Sequence, residues 1–306
     1  MSRGTTTLLA AVLALACGLG AAGCGRSGSP ASAGSKIRVV AAENFWGSIA
    51  AQLAGGRASV QSIIVSPNAD PHTYEPSAQD ARTMLSSNLA IVNGLGYDNW
   101  ALQLLDASPQ PGRAVLNVGE ALGLPSGANQ HRWYYPADVH AVVERITAEY
   151  QRLDPADASF FARQRQSFET NALARYDSLR REIRAKYAGV PVGYSESIFE
   201  GLGEDLGLKL LTPYSFVKAI AEGTDVTAQD KQTVDAQARE GKIEVWIFNS
   251  QNVTPDVQRV NQIARERKIP VATVTETLSP ATDSFQHWQV AELEGLMRAL
   301  HAATGR

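Results

Sequence analysis

The sequence predicts an α/β protein: two parallel-sheet lobes with helices on both faces, joined by one long rigid helix. Short apolar runs alternate with helix-length amphipathic stretches, the pattern of parallel strands covered by helices. This theme occurs twice, before and after a central stretch. That stretch, from about Asp157 to Tyr187, contains no glycine or proline and carries a single apolar stripe at helical spacing.

In chain order, KIRVVA (36–41) reads as a buried strand and ENFWGSIAAQLAGG as a helix closed by its glycines. VQSIIVS (60–66) is a second strand, leading into the kinked stretch NADPHTYEP (68–76). SAQDARTMLSS follows as a helix, with Ser77 as N-cap and Asp80 three residues on, a variant of the capping box. NLAIVNGLG (88–96) and RAVLNVG (113–119) are the third and fourth strands, and a further helix begins near Ala137.

In the central stretch Phe161, Phe168, Ala172, Tyr176, Leu179, Ile183 and Tyr187 advance by 7, 4, 4, 3, 4 and 4 residues, one stripe of one helix. About 30 residues at 1.5 Å each give a strut of roughly 45 Å, which limits how far two lobes can close. VPVGYS (190–195) then opens the second half as a strand, and SIFEGLGEDLG is a helix stopped by Gly207. KIEVWIFNS (242–250) is a strand, and TPDVQRVNQIARERK is a helix opened by Thr254 and Pro255 at N-cap and N1. IPVATVT (269–275) is the last clear strand, and VAELEGLMRALHAA closes the chain as an amphipathic helix.

The 306 residues carry a net charge of −3 without a basic block, which speaks against a nucleic-acid partner. A composition of 44% hydrophobic and 19% charged residues suits a folded α/β chain. Arg3 precedes the apolar run LLAAVLALAC (8–17), too short to span a bilayer and suited to a secretory leader. GLGAAGC then ends at Cys24, and GRSGSPASAGS follows as a flexible tether. Small residues before a cysteine resemble a bacterial lipoprotein signal, with Ala21 where leucine is commonest. That resemblance implies lipidation of Cys24 and an extracytoplasmic protein anchored to the cell membrane. Cys17 falls in the segment to be removed, so the body from Lys36 onward has no cysteine, and no disulfide or thiolate site is available there. The expected divisions are 1–23 signal peptide, 24–35 tether, 36–156 first lobe, 157–187 connecting helix and 188–306 second lobe.

In open α/β sheets, ligands bind beyond the carboxyl ends of the strands. His72 follows the second strand, held between Pro71 and Pro76; His131 lies in HRWYYP after the fourth strand. Glu196 ends the strand of GYSES, and Asp283 lies in TETLSPATDSFQHW after the last strand. Two imidazoles from the first half and two carboxylates from the second therefore share an address that a cleft between lobes would gather.

DPHTYEP, followed by a helix and NGLG, resembles the metal-binding lipoproteins of ABC importers, the manganese/zinc cluster of solute-binding proteins, over nearly all of the chain from Lys36. The resemblance implies His72 as first metal ligand. NQHRW, with Gln130 where the family has proline, implies His131 as second, and YSES implies Glu196 as third. TDSFQHW offers Asp283 as the fourth in a shortened loop, with His287 and Glu276 as competitors. Trp133, Tyr134 and Tyr135 would wall such a site, and Asn249 and Gln251 would orient Glu196 or a histidine; His140 and His301 fall in helices and are not taken as ligands.

Four protein ligands fill a tetrahedral shell and leave no place for an activated water, which argues for binding over catalysis. Absence of sulfur argues against Cu(I). Carboxylates suit Mn(II), especially if an acid binds through both oxygens, whereas Zn(II) binds a given N/O site more tightly; the expected order is manganese, zinc, iron. The resemblance implies a non-enzymatic, monomeric receptor that delivers the ion to a membrane permease driven by an ATPase. The competing readings are a surface adhesion protein on the same scaffold and a secreted metal-dependent hydrolase.

Overall fold

The first four strands form a parallel sheet in the order β2-β1-β3-β4, and the last four form a second in the order β6-β5-β7-β8. The structure is a computed structural model and describes residues 36–67, 71 and 74–306. The leader, the tether, Cys17, Cys24 and His72 lie outside the described residues.

β1 (Ile37–Glu43) runs into α1 (Asn44–Ala54), which ends where Gly55 takes the left-handed conformation, φ 48°. β2 (Ala58–Ile64) pairs with β1, and α2 (Ala78–Leu85) starts with the Ser77/Asp80 capping box complete. β3 (Leu89–Val92) is buried throughout, as a strand covered on both faces should be. α3 (Asn99–Ala107), β4 (Ala114–Asn117), the short α4 (Val118–Ala121) and α5 (Pro136–Leu153) complete the first half.

The connecting stretch is not one uninterrupted helix. α6 (Ala158–Ser167) is followed by a π turn (Phe168–Ala172), then by α7 (Ala174–Tyr187). The turn is closed by the Leu173 amide donating to the Phe168 carbonyl at 3.0 Å, a five-residue step. It shifts the stripe by one position, so Leu173 enters the core while Ala172 stays half-buried. The other stripe residues, Phe161, Phe168, Tyr176, Leu179, Ile183 and Tyr187, are buried as expected. α6 packs on α1 and α5; α7 packs on the final helix, α12 (Phe285–Thr304).

The second half repeats the topology of the first with β5 (Pro191–Tyr194), α8 (Glu200–Asp205), β6 (Lys209–Leu210), α9 (Tyr214–Ala221), α10 (Ala228–Arg239), β7 (Val245–Asn249), α11 (Pro255–Arg267) and β8 (Val271–Val274). β6 is only two residues long, which leaves no alternation to read from sequence. Thr254 caps α11 through the Val257 amide, with Pro255 at the first helical position.

Lys36–Arg306 is one compact unit, and one apolar cluster runs through both sheets. Trp246 on β7 is fully buried and donates its indole N–H to Asn261 Oδ1 at 2.6 Å, tying β7 to α11. Trp246→Ala should cost about 3–5 kcal/mol, read as a lowered denaturant midpoint. No helix among the described residues is long and apolar enough to cross a membrane.

Candidate metal centre

Both sheets reverse their strand order beside a central strand: β1 and β3 in the first, β5 and β7 in the second. Such switch points open a crevice at the carboxyl ends, and the side chains described below emerge there.

Glu196 lies two residues past β5 and is fully buried, as is His131. Glu276 lies two residues past β8 and is 1% exposed. His131 Nε2 lies 3.5 Å from Glu196 Oε1 and 3.6 Å from Glu276 Oε1. Among the described residues these three form the group whose ligand atoms all fall within 4.8 Å of one another. Two anionic carboxylates closed off from water are costly unless a cation or proton compensates them.

The imidazole is oriented by Asn129, whose Oδ1 accepts from the His131 amide at 3.0 Å and lies 2.9 Å from Nδ1. A carboxamide oxygen there requires the proton on Nδ1 and leaves Nε2 as the electron-pair donor facing the acids. The Asn129 amide group also donates to the Ser197 carbonyl at 2.7 Å and to Glu200 Oε2 at 2.8 Å, so the His131 loop is pinned to the Glu196 loop. Behind it, Trp46 Nε1 donates to Asn93 Oδ1, and Asn93 Nδ2 donates to the Gln130 carbonyl. Trp133 meets the His131 ring edge-on at 5.3 Å.

The acids are oriented from both halves. Asn249, at the end of β7, donates from Nδ2 to Glu196 Oε2 at 2.8 Å and to Glu276 Oε1 at 2.7 Å. Tyr97 OH donates to Glu276 Oε2 at 2.9 Å. Burial, and then the neighbouring Glu276, Glu43 and Glu196, hold the Tyr97 phenol well above its ordinary range, so it remains a proton donor.

Tyr97 is aimed by an unusual backbone. Gly94, Leu95 and Gly96 all have positive φ, at 71°, 57° and 91°. A Cβ on Gly94 would lie 2.1 Å from Asn117 Oδ1, so glycine is required there on two counts. Leu95 in this conformation costs on the order of 1–3 kcal/mol, strain held beside the site. Asp98 secures the turn by accepting from the Asn93 and Gly94 amides at 2.6 and 2.8 Å. The buried Glu43 carboxyl faces Asp98; burial and then that neighbour push Glu43 well up, and burial pushes Asp98 up to about 6. The partner that accepts two amides is the better anion, so Glu43 carries the proton.

Gln251 Nε2 donates to the Pro67 carbonyl and to Thr277 Oγ1, while Gln251 Oε1 accepts from the Thr277 amide. The segment entering the His72 loop is thereby tied to the residue after Glu276.

Asp283 stands apart from this group. Its Oδ1 accepts from the Ser284 amide at 2.8 Å and lies 3.4 Å from Nδ1 of His287, whose side chain is 74% exposed. Ser284 is the N-cap of α12, so Asp283 belongs to the helix entry, whereas Glu276 leaves directly from the strand end. Trp133 and Tyr134 are fully buried, as a wall requires, while Tyr135 is half-buried beneath the Arg132 guanidinium. Asn93 and Asn129 stand in the NGLG and NQHRW motifs, but their hydrogen bonds to the Gln130 carbonyl and to Ser197 and Glu200, like that of Tyr97 to Glu276, cross loops or halves and carry no local sequence signal.

The fold has clear relatives. The solved structure of the Mn-bound periplasmic metal binding protein from Candidatus Liberibacter asiaticus is 19% identical, covers 87% of this chain and 100% of its own, and superimposes with a TM-score of 0.69. That of FpvC from Pseudomonas aeruginosa in complex with Mn2+ gives a TM-score of 0.69 at 18% identity, over 88% of this chain and 99% of the other. In sequence, the iron-binding protein YfeA of Yersinia pestis is 25% identical over 264 residues, 82% of this chain and 73% of YfeA. The manganese ABC transporter substrate-binding lipoprotein PsaA of Streptococcus anginosus is 21% identical over 266 residues, 81% of this chain and 82% of PsaA. Residues 39–299 match the family described as ZnuA, zinc-uptake complex component A, periplasmic, and the chain belongs to that family of metal ABC-importer substrate-binding proteins.

Proposed function

We propose that this chain captures one divalent cation at His131, Glu196 and Glu276, with His72 as fourth ligand, and delivers it to a membrane permease driven by an ATPase. One observation carries the reading: two buried carboxylates converge on Nε2 of a buried imidazole whose other ring nitrogen faces Asn129 Oδ1. A cation offsets both negative charges at once. The His72 loop is supplied by the segment that Gln251 holds against Thr277, beside Glu276. Zinc, manganese and iron all suit such a mixed nitrogen and oxygen set.

The protein acts as a monomeric receptor without turnover: four protein ligands occupy the coordination sphere and leave no open position for a reacting water. Cys24 carries the lipid that keeps it at the outer face of the cytoplasmic membrane. Cys24→Ser should move the protein from the membrane fraction to the soluble one; unchanged membrane retention would count against the anchor.

The test is elemental analysis of protein purified without added metal, followed by titration with zinc and manganese. The expected stoichiometry is one ion per chain, with His72→Ala and His131→Ala each losing the rise in melting temperature on metal addition. An undiminished rise in either variant would remove that residue from the site.

A further inference from the structure

We propose that Asn249 sets the metal preference: its amide hydrogen on Glu196 Oε2, alongside the Tyr97 phenol on Glu276 Oε2, limits each acid to one ligand oxygen and favours four-coordinate zinc over manganese. This rests on the cation-binding reading above. The Asn249 amide cannot turn over, because its Oδ1 already accepts from the Gln251 amide at 2.9 Å. Its backbone N–H is in turn fixed on Ser195 Oγ at 3.0 Å. The two Nδ2 hydrogens therefore point at the acids, one on Glu196 Oε2 and one on Glu276 Oε1.

The oxygens left toward the imidazole are Glu196 Oε1 and Glu276 Oε1, at 3.5 and 3.6 Å from His131 Nε2. Glu276 Oε1 can accept from the amide and still be the oxygen that a cation would take, since a carboxylate oxygen has two lone pairs. Glu276 Oε2 is occupied by Tyr97. For Glu196 to bind through both oxygens, Oε2 would have to leave Asn249 and strand a buried amide hydrogen, a cost that single-oxygen binding avoids. The spacing points the same way. Bonds of about 2.0–2.1 Å in a tetrahedron separate neighbouring ligands by about 3.3–3.4 Å. An octahedral ion with bonds of about 2.1 Å separates them by about 3.0 Å. The observed separations lie on the tetrahedral side.

The experiment uses the soluble chain from Lys36 and measures zinc and manganese affinities against a competing chelator, with Co(II) as spectroscopic probe. Wild type should give the intense visible bands of four-coordinate Co(II). Asn249→Ala should weaken those bands and lower the zinc-to-manganese affinity ratio at least tenfold. Asn249→Ser, whose single hydroxyl can serve only one acid, should fall between, and it keeps the test open if the alanine variant does not fold. Equal losses for both metals with an unchanged ratio would mean a merely structural role and overturn the proposal. So would weak, higher-coordinate Co(II) bands in wild type. Failure of wild type to bind zinc, manganese or cobalt would instead overturn the binding site itself.

Discussion

Glu276→Gln should abolish the thermal stabilisation that metal confers while leaving the metal-free protein as stable as before, or more so. The glutamine oxygen can still accept from Asn249, and its NH2 can face the Tyr97 oxygen once the phenol turns its proton away, while one of two adjoining buried carboxyl groups is removed. Without metal, that removes a buried acid whose charge would need a compensating cation or proton. With metal, the site loses a charged ligand, and amide oxygens are poor donors to zinc beside carboxylates. At a free metal concentration of 100 Kd the wild type should gain about 2.7 kcal/mol. At roughly 2–4 °C per kcal/mol for a chain of this size, that is a rise of more than 5 °C. Melting curves with and without zinc or manganese read both effects. Asp283→Ala should retain the full rise, because Asp283 is engaged with Ser284 and His287 at the entry to α12. A full rise in Glu276→Gln, or none in Asp283→Ala, would put Asp283 in the place of Glu276 among the ligands.

The contrast between these two acids shows what the sequence could carry. Strands and caps are local: β3 is four apolar residues, and the Ser77/Asp80 box can be recognised from its spacing alone. Glu196 is legible from the strand-end rule, since it lies two residues past β5. Both Glu276 and Asp283 follow β8, and the general rule of ligands at strand ends prefers the nearer one. Resemblance to a loop motif points to Asp283, whereas the course of the six intervening residues, which is tertiary, puts Glu276 beside His131 and Asp283 at the entry to α12. The π turn was hidden for a different reason. Ala172 and Leu173 are both apolar, so the stripe can be written through either, and only the packing of the folded chain, which buries Leu173, selects it. Asn93 on Gln130, Tyr97 on Glu276, and Asn129 on Ser197 and Glu200 act at sequence separations that no periodicity reports. The polar residues that aim the ligands are thus less legible than the ligands themselves.

Stability should fall as pH rises from mildly acidic to alkaline, and Glu292→Gln should flatten much of that fall. The Glu292 carboxyl turns inward from α12, where Tyr134 OH lies 2.5 Å from Oε2, and Thr275 Oγ1 and Trp288 Nε1 each donate to Oε1 at 2.9 Å. Tyr134 OH also lies 2.9 Å from the Thr275 carbonyl. One phenol proton cannot serve both oxygens. A neutral Glu292 resolves this: its own proton goes to the Tyr134 oxygen, and the phenol proton goes to Thr275. Burial is the main cause that raises the Glu292 carboxyl from 4.5 to about 8. The folded state therefore holds a proton that the unfolded chain releases between those values. The corresponding stability is fully present below about 4.5 and is lost as pH passes through about 8. Asp98, raised to about 6, acts in the same direction but completes its change earlier, and Glu43 shares that sign. Glutamine at position 292 reproduces the neutral acid, with its amide donating where the acid proton did. Denaturant unfolding at pH 6 and pH 9 should show wild type losing on the order of 2–5 kcal/mol more than the variant. Parallel losses in the two proteins would mean that Glu292 is ionised in the folded state, and that Tyr134 gives its proton to Glu292 rather than to Thr275.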